Sequence, residues 1–369
     1  MPLRLKLALS YLFIGLFPVL AMALTVYWQA SKALQEQTLN SLEAVANIKQ
    51  AQLLDNLQAR RDQLSTLANN LGTSYGGLTG MALISASNYD RPIYENFIQT
   101  YGYRELKLIA SDGTVIFSVL RGDDYQQNLT QGAWRELPMG KLASAGLNRQ
   151  ASLISDLTIN PQTGEPSQFL ISPVISEGEL IALLMLELPI APLNNVMQTR
   201  QGLGDAGETY LVGADGLLRS DSARFSEHQV QRSEQRPSAL QGDAITRALN
   251  GEQGQLAETG LNGQPALKAF VPLEFDGQHW TLIAEMDQAQ AFAPVHELMW
   301  QILLLGLLTI AAVLFATWLV SRSVMRPLGG EPGTMAQLAQ RLAAGELRIS
   351  QQPGQGNGLM HALHDMANA

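Results

Sequence analysis

Leu108–Gly113 reads LIASDG, and Leu211–Gly216, 103 residues later, reads LVGADG. Each is a short apolar run that meets an Asp-Gly pair, the dipeptide that best tolerates the backbone of a tight hairpin turn. A second pair recurs in the same order. SPVISEG at 172–178 leads into an apolar strand at 180–188, and VPLEFDG at 271–277 leads into WTLIA at 280–284, 99 residues on. Strand–turn units repeated at a nearly constant offset predict two similar α/β modules, near 88–190 and 203–288. Chance likeness of such units is the competing reading. The connector is 188–201, marked by Pro189 and Pro192.

Upstream the pattern is different. From Val19 to Leu71 there is no Gly or Pro, and Leu42, Val45, Leu53, Leu57, Leu64, Leu67 and Leu71 recur at roughly helical spacing. This predicts one long helix over 29–76, ended by the glycines of 72–77. Two helices with an unmarked break are the alternative.

Charged residues are 15% of the chain against roughly 25% in a typical soluble protein. The deficit lies in two places. Residues 7–28 and 298–320 carry no charge, and each is long enough for the ~20 residues that a span needs. Arg4 and Lys6 precede the first stretch, and Arg322 and Arg326 follow the second. Basic flanks mark the cytoplasmic side, so residues 1–6 and 321–369 are expected inside and 29–297 outside. A cleaved signal peptide, with Ala21-Met22-Ala23 as its cleavage site, competes for the first stretch. Its apolar run exceeds a signal core and continues into the helix without a break. The outside region carries a net charge of −12, within −9 for the whole chain. An acidic chain is a poor nucleic-acid binder, and the absence of cysteine removes disulfides, thiolate metal sites and a cysteine nucleophile.

Taken together, these residues resemble the double Cache sensor of methyl-accepting chemotaxis proteins. The likeness is closest in GLGDAGETYLVGADGLLRSDSARF at 202–225 and GQHWTLIAEMDQAQAFAPV at 277–295. Residues 325–350, MRPLGGEPGTMAQLAQRLAAGELRIS, resemble the first helix and connector of a HAMP domain, and LMHALHDMANA at 359–369 the start of its second helix. The resemblance implies an α+β chain: a long N-terminal helix, two PAS-like Cache modules with antiparallel sheets, two transmembrane helices and a partial HAMP bundle. It implies a two-pass protein of the bacterial cytoplasmic membrane that binds a small molecule on its outer side, works as a homodimer and is not an enzyme. The chemotaxis kinase and coupling protein would be reached only through a coiled coil that this chain lacks, as in a fragment or truncated product. The same input region could precede a cyclase or a sensor histidine kinase. Within HAMP, Met335, Leu338, Ala339 and Leu342 form the apolar stripe expected to meet its twin.

Other motifs are weaker. Gly202-Leu203-Gly204-Asp205-Ala206-Gly207 matches a dinucleotide fingerprint by letter, but it precedes a strand instead of following one. His361 and His364 read as a solvated helix face rather than a metal site, Asp123-Asp124 as a surface turn, and Asn128-Leu129-Thr130 as a sequon by letter only. No catalytic set, metal site or cofactor is expected. In the Cache family the ligand sits in the membrane-distal module. There this chain offers Arg121, Tyr125, Trp134, Asp156, Asn160 and Phe169, a cation, a carboxylate, an amide and aromatics suited to a polar small molecule. Asn160 stands where many Cache sensors have a ligand-binding Asp. The family's amino-acid signature, a Tyr and then an Arg followed by Trp-Tyr, is not met by Arg121-Gly122-Asp123-Asp124-Tyr125, so amino-acid sensing is not implied.

Overall fold

The computed structural model describes residues 3–204, 207–233, 239–328 and Gln340. The HAMP stripe expected at 335–342 and the histidines at 361 and 364 lie outside the described residues. The chain mixes helices with antiparallel sheets and divides into two compact units. One is Gln35–Ala291; the other draws on the chain to either side of it.

Within Gln35–Ala291 two sheets form. The first contains β1 (Glu105–Ala110), β2 (Val115–Ser118), β3 (Leu153–Ile154), β4 (Thr158–Ile159), β5 (Pro166–Ser176) and β6 (Glu179–Pro189), in the order β2-β1-β6-β5-β3 with β4 on β5. The second contains β7 (Gly207–Gly213), β8 (Gly254–Thr259), β9 (Pro265–Phe275) and β10 (Gln278–Asp287), in the order β7-β10-β9-β8. The repeated motifs do the same local work in both. Asp112 Oδ1 accepts the amide of Thr114 at 2.9 Å, and Asp215 Oδ1 accepts that of Leu217 at 3.0 Å. The β5–β6 hairpin turns on Glu177-Gly178, and the β9–β10 hairpin on Asp276-Gly277. All four residues have positive φ, as a two-residue primed turn requires.

Helix α1 runs from Leu3 to Ser74. Its Leu57, Leu64, Ala68 and Leu71, with Leu83 of α2 (Gly80–Tyr89) and Tyr94 and Ile98 of α3 (Arg91–Tyr101), bury one face of the first sheet. The opposite face, with Ile109, Phe169, Ile171, Leu183 and Met185, is covered by Met139, Leu142 and Ala143 of α4 (Pro138–Arg149). Covering both faces explains why β1 and β6 are buried almost without alternation. Over the second sheet α1 contributes Leu42, Ala46 and Leu53, and α7 (Asp243–Leu249) contributes Ala244, Ile245 and Ala248. Lys49 of α1 is buried, yet its ammonium donates to the Met197 and Thr199 carbonyls at 2.7 and 2.6 Å and to Thr209 Oγ1 at 2.8 Å. It thereby caps the C-terminal end of α5 (Ala191–Gln198), where orphan carbonyls and the helix dipole favour a cation. Burial lowers its pKa to about 8.

The other unit holds the first part of α1 and α9 (Ala293–Leu328). Phe13–Ser74 and Ala293–Leu319 are long and apolar enough to cross a membrane. Their exposed side chains include Phe13, Phe17, Leu303, Leu304 and Leu307. Thr25, Thr309 and Thr317 turn their hydroxyls back onto helix carbonyls at 2.8 Å, which gives each of these donors a partner in an apolar surround.

Candidate functional site

The outer face of the first sheet gathers most of the aromatic candidates. Tyr125 and Trp134 are half-buried against the cluster that contains Phe169, whose ring is fully buried. Trp134 sits in a short 3-10 turn, Gly132–Glu136, directly before α4. That approach needs Gly140, where a Cβ would strike the Trp134 and Leu129 carbonyls. Arg121 is exposed. Its guanidinium lies 5.6 Å from the Tyr125 ring centroid and donates to Asn88 Oδ1 at 3.3 Å. Its φ of +54° is held by its own amide donating to Ser118 Oγ at 2.7 Å. So Tyr125, Trp134 and Phe169 share one face, and Arg121 reaches from Tyr125 to Asn88 of α2, which packs on the other.

The remaining two candidates go elsewhere. Asn160 is buried, its Nδ2 donating to Glu187 Oε1 at 3.0 Å and its Oδ1 accepting the Gln162 amide at 3.0 Å. Asp156 lies at the seam between the sheets. Its carboxylate accepts two bonds from Arg219, at 2.8 and 2.6 Å, and one from Trp280 Nε1 at 2.8 Å. Burial works against the charge on Arg219, but the hydrogen bonds it donates to Asp156 and Asp215 raise its pKa. A second tie is close by: Asp276 accepts the Ile154 amide at 2.9 Å and pairs with Arg61 of α1.

Asp123 is exposed, but Asp124 is not the surface residue expected. It is fully buried and ion-paired with Lys107 of β1. The reason is Lys107 itself, which points into the outer face between Leu106 and Leu108, where only a partner at close range makes its charge tolerable. A lysine inside an otherwise apolar strand is the signal that betrays this pair. The same signal applies to Glu105, Glu187, Glu208 and Glu285, all buried in strands. Asn128 is a turn residue: its side chain bonds the Asp112 carbonyl, at 2.8 Å, and the Thr130 amide and hydroxyl. Gly202 and Gly204 take positive φ ahead of β7; Asp205 and Ala206 lie outside the described residues. Among the described residues, no three His, Asp or Glu side chains cluster to hold a metal ion.

A family model described as Cache domain matches residues 30–295. A probable chemoreceptor of Sinorhizobium fredii, y4sI, is 23% identical over 211 residues, 56% of this chain and 25% of the relative. The chain therefore spans about a quarter of the curated relative it matches. Among solved structures, the ligand-binding domain of the Campylobacter jejuni chemoreceptor Tlp3 with 4-methylisoleucine is 13% identical. The match covers 71% of this chain and 95% of that one, with a TM-score of 0.53. The ligand-binding domain of the Pseudomonas aeruginosa amino-acid chemoreceptor PctC with GABA is 16% identical, covering 68% and 100%, with a TM-score of 0.50. At these identities the likeness is one of fold.

Proposed function

The chain belongs to the Cache domain family, and from that membership we propose that it is the sensor part of a membrane-anchored chemoreceptor. The observation that carries this reading is position. The Cache match, 30–295, is bracketed by the two apolar stretches, Phe13 onward and Ala293–Leu319. In the proposal both stretches span the membrane, the two modules at 88–190 and 203–288 lie outside, and 321–369 begins a HAMP domain inside. The protein is a non-enzymatic homodimer that passes the signal through α9. A ligand biases it by binding one conformation better than the other, and displacements of about 1–2 Å in an interface helix are the usual scale of such switching. Alkaline phosphatase fused after Gln150 is then active and fused after Ser350 inactive; the reverse pattern overturns the reading. Dimerisation through the HAMP stripe is read by disulfide crosslinking, efficient for Leu338→Cys and absent for Gln340→Cys.

The ligand site of this reading is the outer face of the first sheet. Trp134 and Tyr125 form its wall, Phe169 its floor and Arg121 its rim, while Asn160, bonded to Glu187, and Asp156, bonded to Arg219 and Trp280, lie outside it. Binding is tested by calorimetry on the full chain in detergent, against L-amino acids. For any compound that binds, Trp134→Ala weakens affinity about tenfold or more, a loss of ~1.4 kcal/mol or more, and Asp221→Ala, which removes a carboxylate bonded to Asn194 and the Val230 amide, does not. The opposite order moves the site to the second sheet.

A further inference from the structure

At the seam between the sheets a cleft opens, with a volume of about 370 Å³, within the range of small-molecule sites. One wall is a face of α4. Pro138, Lys141, Leu142, Ala145 and Arg149 all line it, at spacings that keep them on one side of a helix. The facing wall includes Asp156 and, from the β9–β10 turn, Asp276 and Gln278.

The charges in this cleft do not cancel. Both acids are already satisfied, Asp156 by Arg219 and Trp280, Asp276 by Arg61 and the Ile154 amide. Lys141 and Arg149 line the same cleft, and among the described residues neither side chain has an ion-pair or hydrogen-bond partner. Eight residues apart on a helix, their backbones stand about 12 Å apart along the axis. The wall between them is Leu142 and Ala145, continued by Leu153, an apolar stretch flanked by two cations. Thr158, also lining the cleft, has a buried hydroxyl without a hydrogen-bond partner.

We propose that this cleft is a second binding site, distinct from the outer face of the first sheet, for a short dicarboxylate whose carboxylates meet Lys141 and Arg149 across an apolar spacer. A cation at each end suits two carboxylates, and the apolar wall favours methylenes over a compact inorganic anion, which would leave that wall wet. Because the cleft is closed on one side by α4 of the first sheet and on the other by a hairpin of the second, its occupant contacts both halves.

Adipate serves as the probe, by calorimetry on the full chain in detergent. Saturable binding is expected, about tenfold weaker for hexanoate, which keeps one carboxylate, and undetectable for inorganic phosphate and 1,6-diaminohexane. The double variant Lys141→Ala/Arg149→Ala loses about tenfold or more in adipate affinity, and Ala145→Leu, which narrows the cleft, also weakens it. Trp134→Ala leaves adipate binding unchanged, which separates this site from the one proposed above. Both cations are exposed, so the double variant keeps the parent melting temperature. Absence of saturable adipate binding, equal affinity in the double variant, or phosphate binding as tightly as adipate overturns the proposal.

Discussion

In both sheets two glutamates stand directly opposite one another on neighbouring strands: Glu105 and Glu187 across β1 and β6, Glu208 and Glu285 across β7 and β10. All four are buried, and like charges at such a position repel. The first sheet satisfies its pair by hydrogen bonds. Glu105 accepts the amides of Leu106, Val119 and Leu120, between 2.8 and 3.3 Å, and the Ser118 hydroxyl at 3.0 Å. Glu187 accepts from Ser167 at 2.6 Å and Asn160 at 3.0 Å. The second sheet is more sparing. Glu208 accepts one bond, from Ser222 at 2.5 Å, and its other oxygen is buried without a partner. Glu285 accepts from Tyr210 at 2.8 Å and the Leu261 amide at 2.9 Å, with Lys268 at 3.8 Å. Burial pushes Glu208 up to about 7, and Glu285 adds to the rise against the pull of Ser222. Burial also raises Glu105, offset by Lys107 and the donated amides, and raises Glu285, offset by the Leu261 amide and Lys268. One repeat position can thus organise a loop in one half and hold a weakly solvated carboxylate in the other; the local donors decide which.

The largest test of that contrast is Glu105→Ala. It strands the Leu106 and Leu120 amides, while that of Val119 keeps the Leu106 carbonyl at 3.1 Å; at 1–3 kcal/mol for each unsatisfied buried group, partly relieved by water, the expected loss is about 3 kcal/mol in urea unfolding. A loss below ~1 kcal/mol would show that Glu105 does not organise residues 118–121.

Glu208→Gln tests the other half. A carboxyl whose folded pKa lies above its unfolded value stabilises fully below the unfolded pKa, near 4.5. That contribution is lost as pH rises through the folded value near 7. The parent should therefore lose melting temperature between pH 4.5 and 7.5. Glu208→Gln should flatten this slope and be about 2 kcal/mol more stable than the parent at pH 8. An unchanged slope would reassign the effect to Glu105 and Glu285, which titrate in the same direction.

The smallest contrast concerns how α1 meets each sheet. Against the first it comes so close at Gly72 that a Cβ would strike the Ile175 carbonyl. Against the second it inserts Lys49. Gly72→Ala should cost about 2 kcal/mol through backbone displacement, and Lys49→Met about 1 kcal/mol, because Thr209 still donates to the Met197 carbonyl at 2.6 Å. Equal costs would mean that α1 packs on both sheets in the same way.

Features that depend on a few consecutive residues were readable from the chain alone. The Asp-Gly turns, the strands on either side of them, the repeat, the long helix and the two apolar stretches follow from turn conformation, side-chain period and hydropathy, each of which acts within one element. Of the six candidate ligand residues, sequence reading could assign residue type and approximate module but not neighbours. Phe169, offered as a ligand contact, is fully buried in the cluster against which Tyr125 and Trp134 pack. Nothing around Asp156 announces Arg219, 63 residues away, or Trp280, 124 residues away, as its partners. Asp124 looks like half of a surface turn until Lys107, from another strand, is placed over it. The cleft beside α4 exists only because a hairpin of the second sheet faces that helix. Local rules set conformation; the partner of a charge is set by desolvation, which depends on every segment packed around it. That is why the architecture lay in the sequence, while the pairing of its buried charges, and the cleft they leave unbalanced, was decided by the tertiary structure.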